Sequence, residues 1–251
     1  MNMLSVVIPA YRKEHSIRLV LKEASDTLKA FEMPYEIIVV DDGSPDNTLA
    51  EAKKHAKKHP NIRVVSYEKN KGKGNALMHG FNFTRGDLVA FLDADLDLHP
   101  KQLRVFMNLM DALNADVIIG SKRHSLSKVN YPATRKALSR CYQLLTRLLF
   151  GLPLTDTQTG IKLFKRRVLE DSLPLLLVKQ YAFDLELLAV AHHKGYRIAE
   201  GPVEMSYTQF GSTVNPRAVF NMFLDTCAVF YRMHILKYYD RLQGDVGRIS
   251  E

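Results

Sequence analysis

The sequence predicts an α/β fold in which a mostly parallel sheet is covered by helices on both faces. Short apolar runs rich in Val and Ile alternate with helical patterns through the first half of the chain. This alternation is typical of parallel sheets that are buried on both faces. Polar clusters directly follow several of these runs, at the edge where such sheets bind their ligands. We predict strands at residues 4–8, 35–40, 62–66, 88–92 and 116–120.

The segments between these strands carry the spacing of amphipathic helices. In the first of them, one face collects the apolar residues Ile17, Val20, Leu21, Ala24 and Leu28. A later segment, residues 46–58, presents a lysine-rich face that we expect to be exposed. We predict helices at residues 17–28, 46–58, 73–83 and 101–113.

The second half of the chain has a different pattern and carries more basic residues. We find no repeat and no convincing linker, so we interpret residues 1–215 as one domain with halves 1–120 and 121–215. Residues 216–251 form a C-terminal helix and tail in this interpretation. The predicted elements are a loop at 121–133, helices at 134–150, 181–193 and 216–241, a turn-rich stretch at 151–160 and extended chain at 197–206.

The net charge of +8 suits an anionic partner, such as nucleic acid, a phosphorylated ligand or an acidic membrane surface. The lysines of residues 53–58 lie on an ordinary helix without interleaved aromatic residues, so we expect no nucleic-acid binding. Cys141 and Cys227 lack the spacing of a zinc site or a disulfide framework. The N-terminus has no signal-peptide pattern, and no apolar run reaches the ~20 residues of a membrane span. We therefore expect a cytoplasmic protein and leave open a peripheral contact with a membrane surface.

The stretch FLDADLDLHP places Asp93, Asp95 and Asp97 at alternate positions after a buried strand. Alternate residues of an extended chain point to the same side, so these charges repel unless a cation lies between them. Mg²⁺ or Mn²⁺ takes one or two protein carboxylates and completes its shell with water and phosphate oxygens. The pattern predicts a site for a metal and a diphosphate; the alternative is a strand end with solvated acids. Asp97 is either a further ligand or the cap of the next helix.

Three more polar clusters follow predicted strands, at residues 9–11, 41–46 and 120–123. In the second cluster Asp42 can bond a base or a ribose, whereas Asp46 suits a helix N-cap. The glycines and lysines of NKGKGNA, residues 70–76, suit a phosphate or nucleoside before a helix, with a solvated basic loop as the alternative. Because the carboxyl ends of parallel strands share one rim, we expect these clusters to converge.

Seven motifs occur in an order that resembles one family. They are VVIPAYRKE, IIVVDDGSPDNT, NKGKGNAL, FLDADLD, IGSKR, DTQTGIKLF and YAFDLELL. Together they are similar to the family 2 glycosyltransferases of GT-A fold, and more narrowly to the dolichyl-phosphate and polyprenyl-phosphate hexose synthases. The last two motifs resemble the dolichyl-phosphate glucose branch. This resemblance implies a nucleotide-sugar donor, with UDP-glucose favoured over GDP-mannose.

The resemblance implies roles for matching residues. In the nucleotide-sugar half, the nucleotide would be held by Pro9, Tyr11, Glu14, Asp42, Lys73, Asn75, Asp93 and Ala94. The metal and diphosphate would be held by Asp93, Asp95 and Asp97, although mannose synthases often have Gln at the last position. In the acceptor half, Arg123 and Arg135 would hold the acceptor phosphate. The acceptor would also be bound by Gln158, in a loop with Asp156 and Gly160, and by the acidic pair Asp184 and Glu186 of a later helix. The catalytic residues would be Asp95, Asp156, Arg123 and Arg135.

The composition of residues 121–147 favours a lipid phosphate as the acceptor. A phosphate with a second pKa of about 6 is already an anion at neutral pH, whereas a hydroxyl needs a general base. The stretch contains seven basic residues, and arginine suits bidentate contact with phosphate. The alternative is a solvated basic helix packed on the core. Asp156 or Asp184 would be a base only for a hydroxyl acceptor, and would otherwise orient Arg135 or the sugar.

The predicted helix 216–241 has a broad apolar stripe flanked by basic residues. Such a helix can lie in a membrane interface, pack on the domain or pair two protomers as a homodimer. Three functions remain: metal-dependent, inverting hexose transfer to a polyprenyl phosphate, transfer to a sugar hydroxyl, or nucleotide-sugar binding without catalysis. The basic stretch and the aspartates favour the first.

Overall fold

A seven-stranded sheet forms the centre of the computed structural model. The structure describes residues 3–95, 97–129, 133–180, 182–205 and 216–241, with side chains in these ranges except those of residues 133–138, 216 and 218. The strands are β1 (Leu4–Ala10), β2 (Tyr35–Asp41), β3 (Ile62–Ser66), β4 (Leu88–Leu92), β5 (Val117–Ser121), β6 (Ile161–Lys165) and β7 (Ile198–Pro202).

The strand order is β3-β2-β1-β4-β6-β5-β7. Neighbours pair in parallel except for β6, which is antiparallel to both β4 and β5. Because β6 runs in the opposite direction, it begins at the rim where β4 ends, with Ile161 opposite Leu92. One rim therefore collects the ends of β1, β2, β4 and β5 together with the start of β6. The predicted mostly parallel sheet is confirmed, and both halves of the chain contribute strands to it.

Helices cover both faces of this sheet because its strands present apolar side chains on both sides. The helices are α1 (Ile17–Lys29), α2 (Thr48–Ala56), α3 (Lys73–Phe81), α4 (Gln102–Ala112), α5 (Ala133–Phe150), α6 (Arg166–Ser172), α7 (Phe183–His193) and α8 (Pro216–Phe230). One face packs against α1, α2 and α4, and the other against α3 and α5 to α8. The result is a three-layer α/β arrangement, as predicted.

The C-terminal segment differs from the single helix that the sequence pattern predicts. α8 ends at Phe230, a π-helical turn covers Tyr231–Ile235, and Lys237 has a φ of +50°. A lysine in that left-handed region cannot continue a helix. The turn returns the chain to the core, where Tyr239 is 2% exposed. None of the helices in the described residues is both long and apolar enough to span a membrane.

Candidate active site

The turn before β6 approaches Asp93 so closely that only glycine fits. The backbone N–H of Asp93 donates to the Gly160 carbonyl oxygen over 3.0 Å. A Cβ atom on Gly160 would lie 2.2 Å from Asp93 Oδ2. Since β6 starts where β4 ends, this backbone contact follows directly from the antiparallel direction of β6. The Asp93 carboxylate is therefore positioned by backbone from the acceptor half of the chain.

We expect Gly160→Ala to weaken Mn²⁺ binding about 10- to 100-fold, because the added methyl group displaces the Asp93 carboxylate. Isothermal titration of the protein with Mn²⁺ measures the effect. Gly195→Ala is the matched control, since a Cβ there meets nothing within 4 Å and only its φ of +83° opposes the change. That control should lower stability and leave Mn²⁺ affinity unchanged. Equal Mn²⁺ affinity in Gly160→Ala and the wild type would exclude Asp93 as a ligand held by this turn.

The three aspartates of the predicted metal motif line one cavity of about 290 Å³ at the rim. The pKa of Asp95 lies above its usual value because the carboxyl is buried and because Asp93 and Asp97 repel its charge. A divalent cation in the cavity would relieve this repulsion. Carboxylate oxygens suit Mg²⁺ and Mn²⁺, so the donor set fits the predicted metal.

The geometry favours a small number of protein ligands. The described residues do not gather three or more carboxylate, histidine or cysteine ligands around one point. A metal here would therefore take one or two carboxylates and complete its shell with ligand and water oxygens. The Asp97 N–H donates to Asp95 Oδ1 over 3.1 Å, which orients the Asp95 carboxylate. Asp97 does not hold the N-cap position of α4, which belongs to Lys101.

Four charged side chains of alternating sign contact one another in a chain that begins at this cavity: Asp93, Lys73, Asp184 and Lys162. Asp184 and Lys162 are buried, whereas Lys73 and Asp93 are partly exposed. Lys73 Nζ lies 2.6 Å from Asp93 Oδ1 and 3.9 Å from Asp184 Oδ2. Lys162 Nζ lies 2.8 Å from Asp184 Oδ1. Burial alone would lower the pKa of Lys73, but Asp93 and Asp184 outweigh it and raise that pKa. Burial would raise the pKa of Asp184, but Lys162 and Lys73 hold it below its usual value.

Asp42 faces inward and organises the loop that follows β3. Its Oδ1 accepts hydrogen bonds from the Tyr67 hydroxyl at 2.6 Å and the Lys71 N–H at 2.8 Å. Its Oδ2 accepts from Asn70 Nδ2 at 2.8 Å and the Gly72 N–H at 3.0 Å. These four bonds fill the usual capacity of a carboxylate. Asp42 thus positions the glycine-rich loop, and direct contact with a nucleoside would require it to give up a partner.

The remaining residues of the predicted nucleotide pocket lie at the same rim with different exposures. Tyr11 is 37% exposed after β1, whereas Ala94 is 3% exposed and offers a ligand only its backbone. Glu14 Oε2 accepts the Asn47 N–H at 3.0 Å, beside the start of α2. The other members are the half-buried Pro9 in β1 and Asn75 in the first turn of α3, where the Asn75 side chain bonds Tyr67. Their contacts with a nucleotide stay predictions.

The predicted cap at Asp46 lies one residue outside the position that the helix assigns. α2 has Asn47 at its N-cap, yet Asp46 Oδ1 accepts both the N–H of Thr48 at 3.1 Å and its hydroxyl at 2.6 Å. These bonds, together with one from the Glu14 N–H, hold the pKa of Asp46 below its usual value although burial opposes them. Asp46 therefore stabilises the start of α2 as expected, without occupying its cap position.

On the acceptor side, Asp156 is buried and already engaged. Its Oδ2 lies 3.4 Å from Lys122 Nζ, and its Oδ1 accepts the Gln158 N–H at 3.1 Å. Glu200 on β7 accepts the N–H groups of Thr155 at 2.7 Å and Asp156 at 3.1 Å, which fixes the loop. Asp156 is thus placed to orient Lys122 rather than to stand ready as a base.

Of the two predicted arginines, the structure describes the side chain of Arg123 but not that of Arg135. Arg123 follows β5 and donates from Nη1 to Gln143 Oε1 on α5. Its Nη2 is buried without a hydrogen-bond partner among the described residues, as is Gln158 Nε2. Arg135 lies in the first turn of α5, but its side chain is outside the described residues.

Glu186 takes a structural position instead of the predicted acceptor contact. It is 0% exposed on α7. Its Oε2 accepts the N–H groups of Leu177 at 3.0 Å and Val178 at 2.7 Å. Its Oε1 accepts Arg232 Nη2 at 2.9 Å and the Tyr239 hydroxyl at 2.6 Å. Four partners fill the carboxylate, so Glu186 joins the C-terminal segment to the loop before α7 and has no capacity left for an acceptor.

An apolar cavity of about 560 Å³ lies between α5 and α8, next to the carboxylate cavity. Its walls include Tyr142 and Leu145 of α5, Leu154 of the following loop, and Met222 and Phe223 of α8. The two cavities share three lining residues, Lys122, Ser139 and Gln158. A ligand with a polar head at this junction could therefore place an apolar tail between the two helices.

Three residues of the site are not among those predicted from the sequence: Lys162, Gln143 and Glu200. Lys162 stands between the apolar residues Ile161 and Leu163 of β6, and a charge inside a buried strand is a signal that could have identified it. Glu200 gives the same signal in β7, whose sequence is IAEGP. Gln143 carries no comparable signal, because a polar residue on an amphipathic helix is ordinary.

The sequence matches the model of a protein family described as "Glycosyl transferase family 2" over residues 5–173. Two dolichyl-phosphate beta-glucosyltransferases of Trichomonas vaginalis are similar to the chain. The first is 35% identical over 209 residues, covering 79% of this chain and 62% of the relative. The second is 33% identical over 249 residues, covering 95% of this chain and 76% of the relative. The chain thus spans less than two thirds of the first relative.

Solved structures with the same fold include two synthases of sugar-linked phosphoglycerates. One is glucosyl-3-phosphoglycerate synthase of Mycobacterium tuberculosis with Mn²⁺, UDP-glucose and phosphoglyceric acid, with a TM-score of 0.68 and 22% identity over 92% of this chain and 79% of that one. The other is mannosyl-3-phosphoglycerate synthase of Rubrobacter xylanophilus, with a TM-score of 0.70 and 19% identity over 94% of this chain and 75% of that one. At these identities the likeness establishes the GT-A fold alone.

Proposed function

Because the chain belongs to glycosyltransferase family 2, we propose that it transfers glucose from UDP-glucose to a dolichyl or polyprenyl phosphate. The names of the two Trichomonas relatives support the acceptor and the sugar. The Mycobacterium synthase, which holds Mn²⁺ and UDP-glucose in the same fold, supports the donor and a divalent metal. Mg²⁺ and Mn²⁺ both fit the oxygen ligands of the site.

The junction of the two cavities is the observation that carries this proposal. One cavity is lined by aspartates suited to a metal diphosphate, and the other is largely apolar. Lys122 lines both cavities. A lipid phosphate would place its head at the junction and its chain between α5 and α8. A soluble sugar acceptor would leave the apolar cavity without a role.

At this junction, the chain offers donors for an acceptor phosphate. Lys122 contributes an ammonium group, oriented by Asp156 over 3.4 Å. Gln158, which lines both cavities, has a buried Nε2 without a partner among the described residues. Arg123 also has a buried Nη2 without a partner among them, and its Nη1 donates to Gln143, which lines the apolar cavity. Leaving a buried donor unpaired costs free energy, and phosphate oxygens would satisfy both groups after a small movement. We assign Arg135 the same task, as its place in the resemblance implies.

The chemistry follows from these positions. An oxygen of the acceptor phosphate attacks the anomeric carbon of glucose as the bond from that carbon to UDP breaks, so the configuration inverts. The phosphate is already an anion, so no base has to remove a proton. When bound, the metal supplies charge stabilisation for the leaving diphosphate. Asp95 and Asp93 would hold this metal, and Lys122 would hold the acceptor phosphate at the junction of the two cavities.

Transfer to a hydroxyl is the second candidate function. The contacts of Asp156 favour the phosphate acceptor over the hydroxyl acceptor. A hydroxyl acceptor needs a carboxylate that is free to accept a proton. Asp156 is held by Lys122 and by the Gln158 N–H, which leaves it engaged before any acceptor binds. The site therefore supports the phosphate acceptor better than the hydroxyl.

The acceptor proposal is tested by offering three acceptors in parallel, each with UDP-glucose or GDP-mannose and Mn²⁺ or Mg²⁺. The acceptors are polyprenyl phosphate, the corresponding polyprenol and a soluble phosphomonoester. We expect glucose to move from UDP-glucose to polyprenyl phosphate alone. Lys122→Met should raise the KM for this acceptor, whereas Lys128→Met, whose side chain is 80% exposed, is the control. Transfer to the polyprenol would favour the hydroxyl reaction. Binding of the nucleotide sugar without turnover would favour a non-catalytic binding module.

We also propose that the outer faces of α5 and α8 contact a lipid bilayer. Leu148 is 74% exposed on α5 and Phe220 is 60% exposed on α8. This apolar surface is continuous with the wall of the apolar cavity, because Val219 and Phe223 line the cavity from the same helix. Arg140 and Arg147 are exposed on α5 and suit anionic headgroups. The cytoplasmic side of such a membrane remains an expectation from the sequence.

We expect Phe220→Asp to reduce co-sedimentation with vesicles of phosphatidylcholine and phosphatidylserine at least about tenfold, because it places a charge in the bilayer interface. Leu113→Asp is the matched control, since Leu113 is 46% exposed just after α4. The same apolar surface could instead be covered by a second copy of the chain. Analytical ultracentrifugation without vesicles measures whether such a dimer forms. A dimer that Phe220→Asp dissociates would contradict the bilayer proposal and support the homodimer.

A further inference from the structure

Lys162 is a buried lysine for which the proposed reaction has no direct use. It is 1% exposed in the middle of the sheet, on β6. Its ammonium donates to the Thr159 carbonyl oxygen over 2.5 Å and lies 2.8 Å from Asp184 Oδ1. A charge this deeply buried is costly unless it is paired, and removing one partner of such a pair is more costly than removing both. Loss of Lys162 would therefore change how strongly Asp184 attracts its other neighbour, Lys73.

The neighbour of this pair is Lys73, which stands between two carboxylates. Its Nζ is 2.6 Å from Asp93 Oδ1 and 3.9 Å from Asp184 Oδ2. A lysine side chain is long and flexible, so it can move toward whichever carboxylate lacks a partner. With Lys162 in place, Asp184 is already neutralised and Lys73 stays on Asp93.

We propose that Lys162 is a positioning residue for the metal site, which by neutralising Asp184 keeps Lys73 paired with Asp93. The inference rests on the proposed function, because it assumes that the aspartates hold a divalent cation. Without Lys162, Asp184 would be a buried carboxylate whose remaining ion-pair partner among the described residues is Lys73. Lys73 would move to it, and Asp93 would lose its partner.

This rearrangement has opposite effects on metal binding and on turnover. Asp93, Asp95 and Asp97 line one cavity, and Lys73 offsets part of their negative charge. Loss of Lys73 from Asp93 would raise the local negative charge and favour a divalent cation. It would also release the Asp93 carboxylate from its fixed orientation, and misplacement of a positioning group lowers turnover. A purely structural role for Lys162 would weaken both properties together.

The test is isothermal titration of the metal-free chain with Mn²⁺, without donor or acceptor. We expect Lys162→Met to bind Mn²⁺ about tenfold more tightly than the wild type while kcat falls about 10- to 100-fold. The double variant Lys162→Met/Asp184→Asn removes both charges of the pair, so Lys73 returns to Asp93 and wild-type Mn²⁺ affinity returns. Lys165→Met is the matched control, because Lys165 is on the same strand but pairs with Asp116 at 3.2 Å. That control should keep the wild-type affinity.

Weaker or unchanged Mn²⁺ binding by Lys162→Met would overturn the inference, as would a double variant that behaves like the single one. If Lys162→Met does not fold, Asp184→Asn is the deciding protein. It leaves Lys73 paired with Asp93, so it should keep wild-type Mn²⁺ affinity, and a clear loss would overturn the inference. Failure of all proteins to bind Mn²⁺ would refute the metal site itself together with this role. Normal wild-type binding without a difference among the variants would refute only the role of Lys162.

Discussion

Asp95→Asn should lower kcat about 1,000-fold, the largest effect on activity that we expect from a single substitution. Asn keeps the shape of the side chain but removes the charge that the metal and the diphosphate require. Burial, together with repulsion from Asp93 and Asp97, raises the pKa of Asp95, and the neutral amide removes both penalties. The metal-free variant should therefore unfold at the same temperature as the wild type or higher. Steady-state transfer assays and thermal unfolding measure the two effects.

Asp111→Asn is the control for this prediction, because Asp111 is an exposed aspartate on α4, away from the carboxylate cavity. It should leave both kcat and Mn²⁺ affinity unchanged. An Asp95→Asn protein with more than a tenth of wild-type kcat would contradict the assignment of Asp95 to the metal and diphosphate. A large drop in unfolding temperature would instead indicate that Asp95 has a structural role.

Glu186→Ala should lower the free energy of unfolding by about 3–5 kcal/mol, the largest effect on stability that we expect. The change removes a fully buried carboxylate and leaves Arg232, the Tyr239 hydroxyl and two backbone N–H groups without their acceptor. Chemical denaturation measures the loss. The C-terminal segment should become accessible to protease first, because Glu186 is its buried polar attachment to α7, whereas the contact of His193 with Asp240 is exposed.

Glu170→Ala is the matched control, since the exposed Glu170 pairs over 3.7 Å with the partly exposed Arg166 one helical turn away. Such exposed pairs contribute little, so the variant should unfold like the wild type. A Glu186→Ala protein of normal stability, with a raised KM for the acceptor, would restore the acceptor role that the sequence resemblance implies for Glu186.

The convergence of the aspartates and the polar clusters on one rim could be predicted from the sequence. Parallel strands bring their carboxyl ends to the same edge, so the position of Asp93 after β4 and of Asp42 after β2 is enough. The sequence also predicts the helices well wherever one face is apolar. α1 is an example, with its buried residues on the face that the spacing predicts.

The partners inside the site could not be predicted in the same way. The contact between Gly160 and Asp93 and the place of Lys162 both depend on β6 running antiparallel to its neighbours, which periodicity does not encode. α7 is buried on every side from Phe183 to Ala191, so polarity could not separate its ligand-facing residues from its structural ones. The inward direction of Asp42 depends on the turn at Gly43, whose φ is +64°.

The end of α8 could not be predicted from the sequence for a third reason. Its apolar stripe continues through Ile235, so the spacing favours one helix up to residue 241. The chain nevertheless turns at Lys237, which brings Tyr239 to Glu186 over 2.6 Å. A contact between residues 53 positions apart thus outweighs the local preference for helix.

Nuclear magnetic resonance of the reaction product shows directly whether glucose is transferred to the phosphate of the lipid. The chain is incubated with Mn²⁺, polyprenyl phosphate and UDP-glucose labelled with ¹³C at the anomeric carbon. We predict a product whose labelled carbon is coupled to phosphorus and has the β configuration, formed in equal amount to the UDP released. Labelled carbon without phosphorus coupling, in a glycoside of a hydroxyl acceptor, would contradict transfer to the lipid phosphate, and so would release of free glucose alone.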